Sequence, residues 1–219
     1  MHISVLEFFM ENVTADEIKG KRVLEVGSRY VNGSVRPFIN CLGPSEYLGV
    51  DIESGKYVDI ILPAEALVEY FGEENFDVLI ASEFLEHVRD WRAVVYNLKS
   101  VLMRGGLLFL TTRSYGYPFH AYPYDYWRFE LADIRAIFSD FEITSLKADS
   151  YAPGVFLKGT RSGMTTAVNL APIELYSMLL CRRTASIPEL SDMRYSVKIR
   201  ASVRGFVRWA GKKVLKFDA

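Results

Sequence analysis

An α/β fold, with a mainly parallel sheet flanked by helices, is predicted by three observations. Short β-branched runs alternate with longer helical patterns through most of the chain. The first run, RVLEVGS, closes on an acid and a glycine at a turn, and the second, EYLGVDI, closes on an aspartate. The stretch FLEHVRDWRAVVYNLKSVLMRGG carries one apolar stripe, formed by Leu85, Val88, Trp91, Val94, Val95, Leu98, Val101 and Leu102 at three- and four-residue spacing.

RVLEVGS reads as the first strand because branched residues dominate a run bounded by Gly27. A helix candidate follows, then the strands EYLGVDI and VDIIL and the helical pattern PAEALVEYFG. FDVLIASE is the fourth strand, the striped stretch is the helix after it, and Gly105 and Gly106 are that helix's stop. LLFLTTRS is the fifth strand. After Ser114 come an aromatic loop, YGYPFHAYPYDYWRFE, the helix LADIRAIFSD and a sixth strand, FEITSLKA. PIELYSMLLCRRT reads as the seventh strand. The Gly-, Thr- and Ser-rich YAPGVFLKGTRSGMTTAVNLA is assigned to a long mobile loop before it.

At 219 residues, 50% apolar and 24% charged, the chain is long enough for one well-buried core plus an appendage. A net charge of -1 offers no overall field for nucleic acid, and none is expected as a partner. Cys41 and Cys181 are far apart and belong to no CxxC or Cys/His cluster, so neither disulfide nor zinc site is read. Residues 1–12 carry Glu7 and Glu11 and no basic start, and no run reaches the ~18 uninterrupted apolar residues of a membrane span. A soluble, cytoplasmic protein is expected.

The stretch VLEVGSRYVNGS begins like a phosphate-gripping turn. The dinucleotide fingerprint GxGxxG needs a glycine two residues after Gly27, where Arg29 stands, so a pyrophosphate cradle is not expected. Asp51, 24 residues beyond Gly27, occupies the place where an acid accepts hydrogen bonds from ribose hydroxyls. A ribose without a pyrophosphate points to a nucleoside-type cofactor. Asn32 and Gly33 both tolerate positive φ and are the expected tight turn.

Over roughly Lys21 to Thr184 these motifs resemble the class I methyltransferases that use S-adenosylmethionine (type 11-like), most closely in FDVLIASEFLEHV and VLMRGGLLFLTT. VNGSVRPF with HAYPYDYWRF, an HxxPxDYWRF loop, resembles a bacterial and archaeal subgroup linked to sugar and surface-polysaccharide methylation. The resemblance implies a Rossmann-like seven-stranded sheet of order 3-2-1-4-5-7-6, with strand 7 antiparallel and helices on both faces. It implies S-adenosyl-L-methionine as cofactor and residues 1–184 as the methyltransferase domain. By position, Glu25, Gly27, Ser28 and Gly33 would surround the methionine and ribose part, Asp51 the ribose diol and Ile52 the adenine. The adenine-facing acid of many relatives corresponds to Pro63, beside Ala64 and Glu65, so that contact falls to backbone or to Glu65. Ser82 and Glu83 would lie under the methionine end and the transferable methyl.

Methylation of an alcohol needs a base near neutrality to take the acceptor's proton, and histidine is the usual one. Of three histidines, His2 lies at a terminus and is set aside, leaving His87 and His120. Asp125 stands with His120 in the catalytic set; Tyr122, Tyr126, Trp127, Arg128 and Arg113 are the candidate acceptor contacts. Aromatic faces with a carboxylate and a guanidinium suit the C–H faces and hydroxyls of a sugar. Glu83, Glu86 and Asp125 have the chemistry of oxygen ligands, but their spacing is no metal motif, and no metal is assigned. A methyl transfer to a hydroxyl of a sugar or glycan is therefore expected. Methylation of another small molecule at O, N or C, or a non-catalytic binding protein retaining the fold, are the alternatives.

Residues 182–219 hold ten Lys and Arg against Glu189, Asp192 and Asp218, a local +7 that leaves -8 on the rest. Residues 185–219 are read as a basic helical extension. Ile199, Val203, Phe206, Val207, Ala210, Val214 and Phe217 share one side, opposite Arg194, Lys198, Arg204, Arg208, Lys212 and Lys216. Such a helix suits an anionic membrane surface, at about 1 kcal/mol per cation, or packing on this domain or a second subunit. Peripheral membrane contact through residues 192–219 and a homodimer are both expectations of this segment.

Overall fold

The computed structural model describes residues 2–120, 124–163 and 168–193. The basic helix expected from Arg194 onward and the candidate contact Tyr122 lie outside them. Among the described residues, no helix is long and apolar enough to cross a membrane.

Strands β1 (Arg22–Val26), β2 (Glu46–Asp51), β3 (Ile60–Ile61), β4 (Phe76–Ser82) and β5 (Leu102–Arg113) are parallel. β7 (Phe141–Ala148) and β8 (Gly154–Arg161) complete a seven-stranded sheet of order β3-β2-β1-β4-β5-β8-β7, in which β8 runs antiparallel to both neighbours. The expected order holds, but its antiparallel strand is drawn from the segment expected to be a loop. Val155, Phe156 and Leu157 are buried there, and this apolar triplet supplies a strand core that the flanking glycines and threonine obscure.

PIELYSMLLCRRT, expected as that seventh strand, instead splits in two. β9 (Leu175–Ser177) and β10 (Arg182–Thr184) form a hairpin, and β9 pairs with β6 (Trp127–Arg128) in a separate three-stranded sheet. The turn is closed by the Cys181 amide donating to the Ser177 carbonyl at 2.8 Å, with Cys181 at φ 53°.

Successive residues of each strand alternate between two apolar layers, which is why the central strands are hydrophobic throughout. Leu24, Leu79, Leu108 and Leu110 face α4 (Leu67–Phe71), α5 (Trp91–Val101) and α6 (Leu131–Ile137). Val23, Val78, Ile80 and Phe109 face α1 (Ile3–Asn12), α2 (Ala15–Ile18) and α3 (Arg36–Cys41). In α1, Phe8 packs on Phe156 and Phe9 on Phe109, each ring contributing about 1.5–3 kcal/mol by burial.

The striped stretch is not one helix. A 3-10 turn, Leu85–His87, precedes α5, whose N-terminus is set by Asp90 accepting from the Ala93 amide at 3.1 Å. The helix ends at Val101, before the expected glycine stop. Gly105 (φ +76°) and Gly106 lie inside β5, opposite the point where its pairing with β4 slips register between Phe76 and Val78.

Candidate active site

The carboxyl ends of β1, β2 and β4 open into a cleft of about 620 Å³, walled on the far side by the loop after β5. Glu25, Gly27, Ser28, Gly33, Asp51, Ile52, Ala64, Glu65, Ser82 and Glu83, the residues proposed from sequence for a cofactor, all line it. Gly27 has φ +77°, and a Cβ there would stand 2.7 Å from the Phe84 ring and 3.2 Å from Phe84 Cβ. Backbone conformation and space both demand glycine. Gly27→Ala is expected to destabilise the protein by about 1–3 kcal/mol and to weaken nucleoside binding at least tenfold, read by thermal melts and calorimetry.

The turn after Gly27 is made by Gly33 at φ 146°, whereas Asn32 is not among the positive-φ residues. Asp51 holds its own loop and that of β1 together: it accepts from the Glu53 amide at 3.0 Å and the Arg29 amide at 3.2 Å. Arg29, in the place of the missing fingerprint glycine, pairs with Glu53 at 3.1 Å. Glu25 is buried and accepts from the Tyr47 hydroxyl at 2.8 Å. Burial pushes its carboxyl up to about 7, against the smaller opposing effects of that hydrogen bond and of Arg36.

Immediately after β4, Glu83 takes up the left-handed region, φ 53°, an unusual conformation for a glutamate. Its amide donates to the Thr111 carbonyl at 2.9 Å and to the Thr111 hydroxyl at 3.1 Å. Its carboxylate pairs with Arg113. His87 and His120 both line the cleft, from different loops, with ring centroids 4.8 Å apart. His87 Nδ1 donates to the Tyr124 carbonyl at 2.5 Å, and its Nε2 lies 3.9 Å from Glu86 Oε1. His120 Nδ1 lies 3.0 Å from Asp125 Oδ2, and the His120 amide donates to the same oxygen at 2.8 Å. Tyr126 lines the cleft as well.

The remaining candidates sit behind this wall. Arg113, Asp125, Trp127 and Arg128 are fully buried and none lines the cleft. This corrects the assignment of Arg113, Trp127 and Arg128 as acceptor contacts, while Asp125, expected in the catalytic set, sits behind the cleft against His120. Arg128 grips Asp125 through two hydrogen bonds of 2.5 and 2.9 Å and donates to the carbonyls of Tyr117, Pro118 and Trp127. Trp127 Nε1 donates to the Arg89 carbonyl at 3.0 Å. Arg113 bridges Glu83 and Asp149 under the Tyr117 ring. The DYWR run is therefore a clamp that holds the His120 loop against the sheet.

In the sequence, several residues carry no signal of their role in the cleft. Phe84, Tyr117 and Tyr124 line it, the two tyrosines within the aromatic loop already singled out as a whole. His2 lines it too, its Nε2 3.0 Å from the Tyr117 hydroxyl. Nothing in a terminal residue's neighbours along the chain announces that contact.

The sequence profile of a family described as a methyltransferase domain matches residues 4–148, more than half of the chain. The chain belongs to the methyltransferase-domain family. As a member it is an S-adenosylmethionine-dependent methyltransferase. No curated protein matches the chain.

Among solved structures, the methyltransferase is similar to a chain in the complex of the Haloferax volcanii Trm112 methyltransferase activator with a methyltransferase. Identity is 12%, TM-score 0.59, and coverage 75% of this chain and 91% of that one. It is similar to the Burkholderia thailandensis 1,6-didemethyltoxoflavin-N1-methyltransferase, solved with bound 1,6-didemethyltoxoflavin and S-adenosylhomocysteine, at 11% identity, TM-score 0.56, covering 72% and 78%. It is similar also to the [4+2]-cyclase SpnF, at 15% identity, TM-score 0.56, covering 72% and 80%. Likeness at such identity establishes the Rossmann-like fold, and the range of chemistries named shows why the acceptor must be argued from the site.

Two features of the methyltransferase's cleft fit its cofactor. The buried Ser28 hydroxyl has no hydrogen-bond partner among the described residues, and the Glu25 carboxyl is desolvated beside it in the cleft. A ligand bringing both polar groups and a positive charge would satisfy each.

Proposed function

We propose that the enzyme moves the methyl of S-adenosylmethionine to a hydroxyl of a sugar or glycan, with His87 or His120 taking the acceptor's proton. The observation that carries this reading is the His87–His120 pair, which lines the cleft together with Glu83, Tyr117, Tyr124 and Tyr126. In this reading Glu25 receives the methionine ammonium and Asp51 the ribose diol, while Ser82 and Glu83 lie by the methyl. The cofactor supplies the electrophilic methyl. The protein's part is to align the acceptor, exclude water and manage one proton. Tyrosine faces offer the apolar stacking that the C–H faces of a pyranose require.

The test is transfer of labelled methyl to a panel of nucleotide- and lipid-linked sugars and of non-sugar phenols and amines. Label in an alkali-stable methyl ether on a sugar is the expected result. Label on nitrogen or carbon, or only on non-sugar acceptors, would overturn the sugar assignment.

The Glu25 role has its own signature. With its carboxyl at about 7, the ligand-free protein carries Glu25 largely protonated at pH 6, whereas the bound ammonium favours the carboxylate. Affinity for S-adenosylhomocysteine should therefore rise roughly tenfold between pH 6 and 7.5, and Glu25→Gln should abolish the rise. The stability of the ligand-free protein should run the other way. The folded carboxyl holds its proton to higher pH than the unfolded one, so this group's contribution is lost as pH rises from about 4.5 through 7.

A further inference from the structure

Glu86, His87 and His120 each offer one ligand atom, and these atoms lie within 4.8 Å of one another. Glu86 is fully buried: Oε2 accepts from the Thr112 hydroxyl at 2.9 Å, while Oε1 has no hydrogen-bond partner among the described residues. His87 Nε2 stands 3.9 Å from that oxygen, too far to be its donor. A buried carboxylate oxygen left so is costly, by about 1–3 kcal/mol or more, unless something positive reaches it. His87 Nδ1 is hydrogen-bonded to the Tyr124 carbonyl, and His120 Nδ1 stands 3.0 Å from the Asp125 carboxylate, which also accepts from the His120 amide. Metal-binding histidines are oriented in this way, by a carbonyl or carboxylate on the nitrogen that does not ligate.

We propose that Glu86, His87 and His120 bind one divalent transition ion, with its open side toward the cleft. Two nitrogens and one carboxylate oxygen suit zinc or ferrous iron and are a poor set for magnesium or calcium, which take oxygen ligands. Three protein ligands and a free position are the pattern of a catalytic site. A merely hydrogen-bonded histidine pair leaves Oε1 of Glu86 unexplained.

This inference rests on the methyltransferase reading and replaces the histidines' part in it: as metal ligands they hold the ion and no longer take the acceptor's proton themselves. The ion holds the acceptor hydroxyl and lowers its pKa, and the proton passes to water at the cleft mouth. The methyl then moves from sulfonium sulfur to that oxygen: the S–C bond breaks as the O–C bond forms, leaving a neutral thioether and an ether.

The experiment uses untagged full-length protein, stripped by chelator, titrated with zinc alone and, separately, with cobalt(II) followed by visible absorption. One equivalent should bind, and His87→Ala, His120→Ala and Glu86→Gln should each weaken it by about hundredfold and remove the cobalt spectrum. S-adenosylhomocysteine affinity and the melting curve, measured on the same samples, report whether each variant is folded. Zinc binding no tighter in the parent than in folded His87→Ala, with S-adenosylhomocysteine still bound, overturns the metal site and leaves the methyltransferase reading standing. Failure of the parent to bind S-adenosylhomocysteine would overturn the reading beneath it.

Discussion

Replacing His87 or His120 by alanine is expected to lower turnover by about 10²- to 10⁴-fold while leaving S-adenosylhomocysteine affinity within a few-fold. The asymmetry follows from placement. The nucleoside end of the cleft is built by the β1 and β2 loops, around Gly27 and Asp51, whereas the two rings come from the turn after β4 and the loop after β5. Neither ring is needed to shape the first region, so its affinity should survive. Both rings are partly exposed, with side-chain exposures of 28% and 27%, so alanine removes chemistry with little loss of packing. Steady-state kinetics with a saturating cofactor, paired with calorimetry, separates the two effects. Full turnover in both variants would remove the histidines from catalysis; a parallel loss of cofactor affinity would make them binding residues instead.

Much of this cleft was legible from sequence because its first half is local. Glu25, Gly27 and Asp51 occupy strand ends, and a strand end predicts its own position at the sheet edge. The second half is not local. His87 and His120 are 33 positions apart and meet only because the aromatic loop folds back over β4. The same lack of locality explains the misplacement of Arg113, Trp127 and Arg128. A wall facing a ligand and the support behind that wall use the same residue types, and only the tertiary partner decides which is which. For Arg128 the partner is Asp125, and for Arg113 it is Glu83 with Asp149. β8 escaped for a different reason. Gly154, Lys158, Gly159 and Thr160 dilute its apolar triplet below the signal of a strand, yet pairing on both sides supplies the order that composition alone does not.

Asp125→Asn is expected to destabilise the enzyme by about 3–5 kcal/mol, the loss that follows when one partner of a buried ion pair is removed and the other keeps its charge. For a domain of this size that is a fall in Tm of roughly 10–15 °C. Arg128 has no route to water: its guanidinium is fully buried, and besides Asp125 its hydrogen bonds among the described residues go to neutral backbone carbonyls. Burial by itself would raise the Asp125 carboxyl. The hydrogen bonds from Arg128, and then those involving His120, outweigh it and hold the group well below the usual carboxylate range. The sign of the pH effect follows. Because the folded pKa is depressed, the pair's stabilisation is complete above the ordinary aspartate value near 3.8 and is lost as pH falls below it toward the folded value. Acid melts should show this loss in the parent and not in Asp125→Asn. A second substitution, Arg128→Met, should restore part of the stability by removing the stranded charge, though not all, since three carbonyls then lose their donor. Activity in that double variant should stay low, because His120 no longer has the carboxylate that positions it. Recovery of turnover together with stability would show that the loop's fold alone, and not the Asp125 contact to His120, serves the reaction.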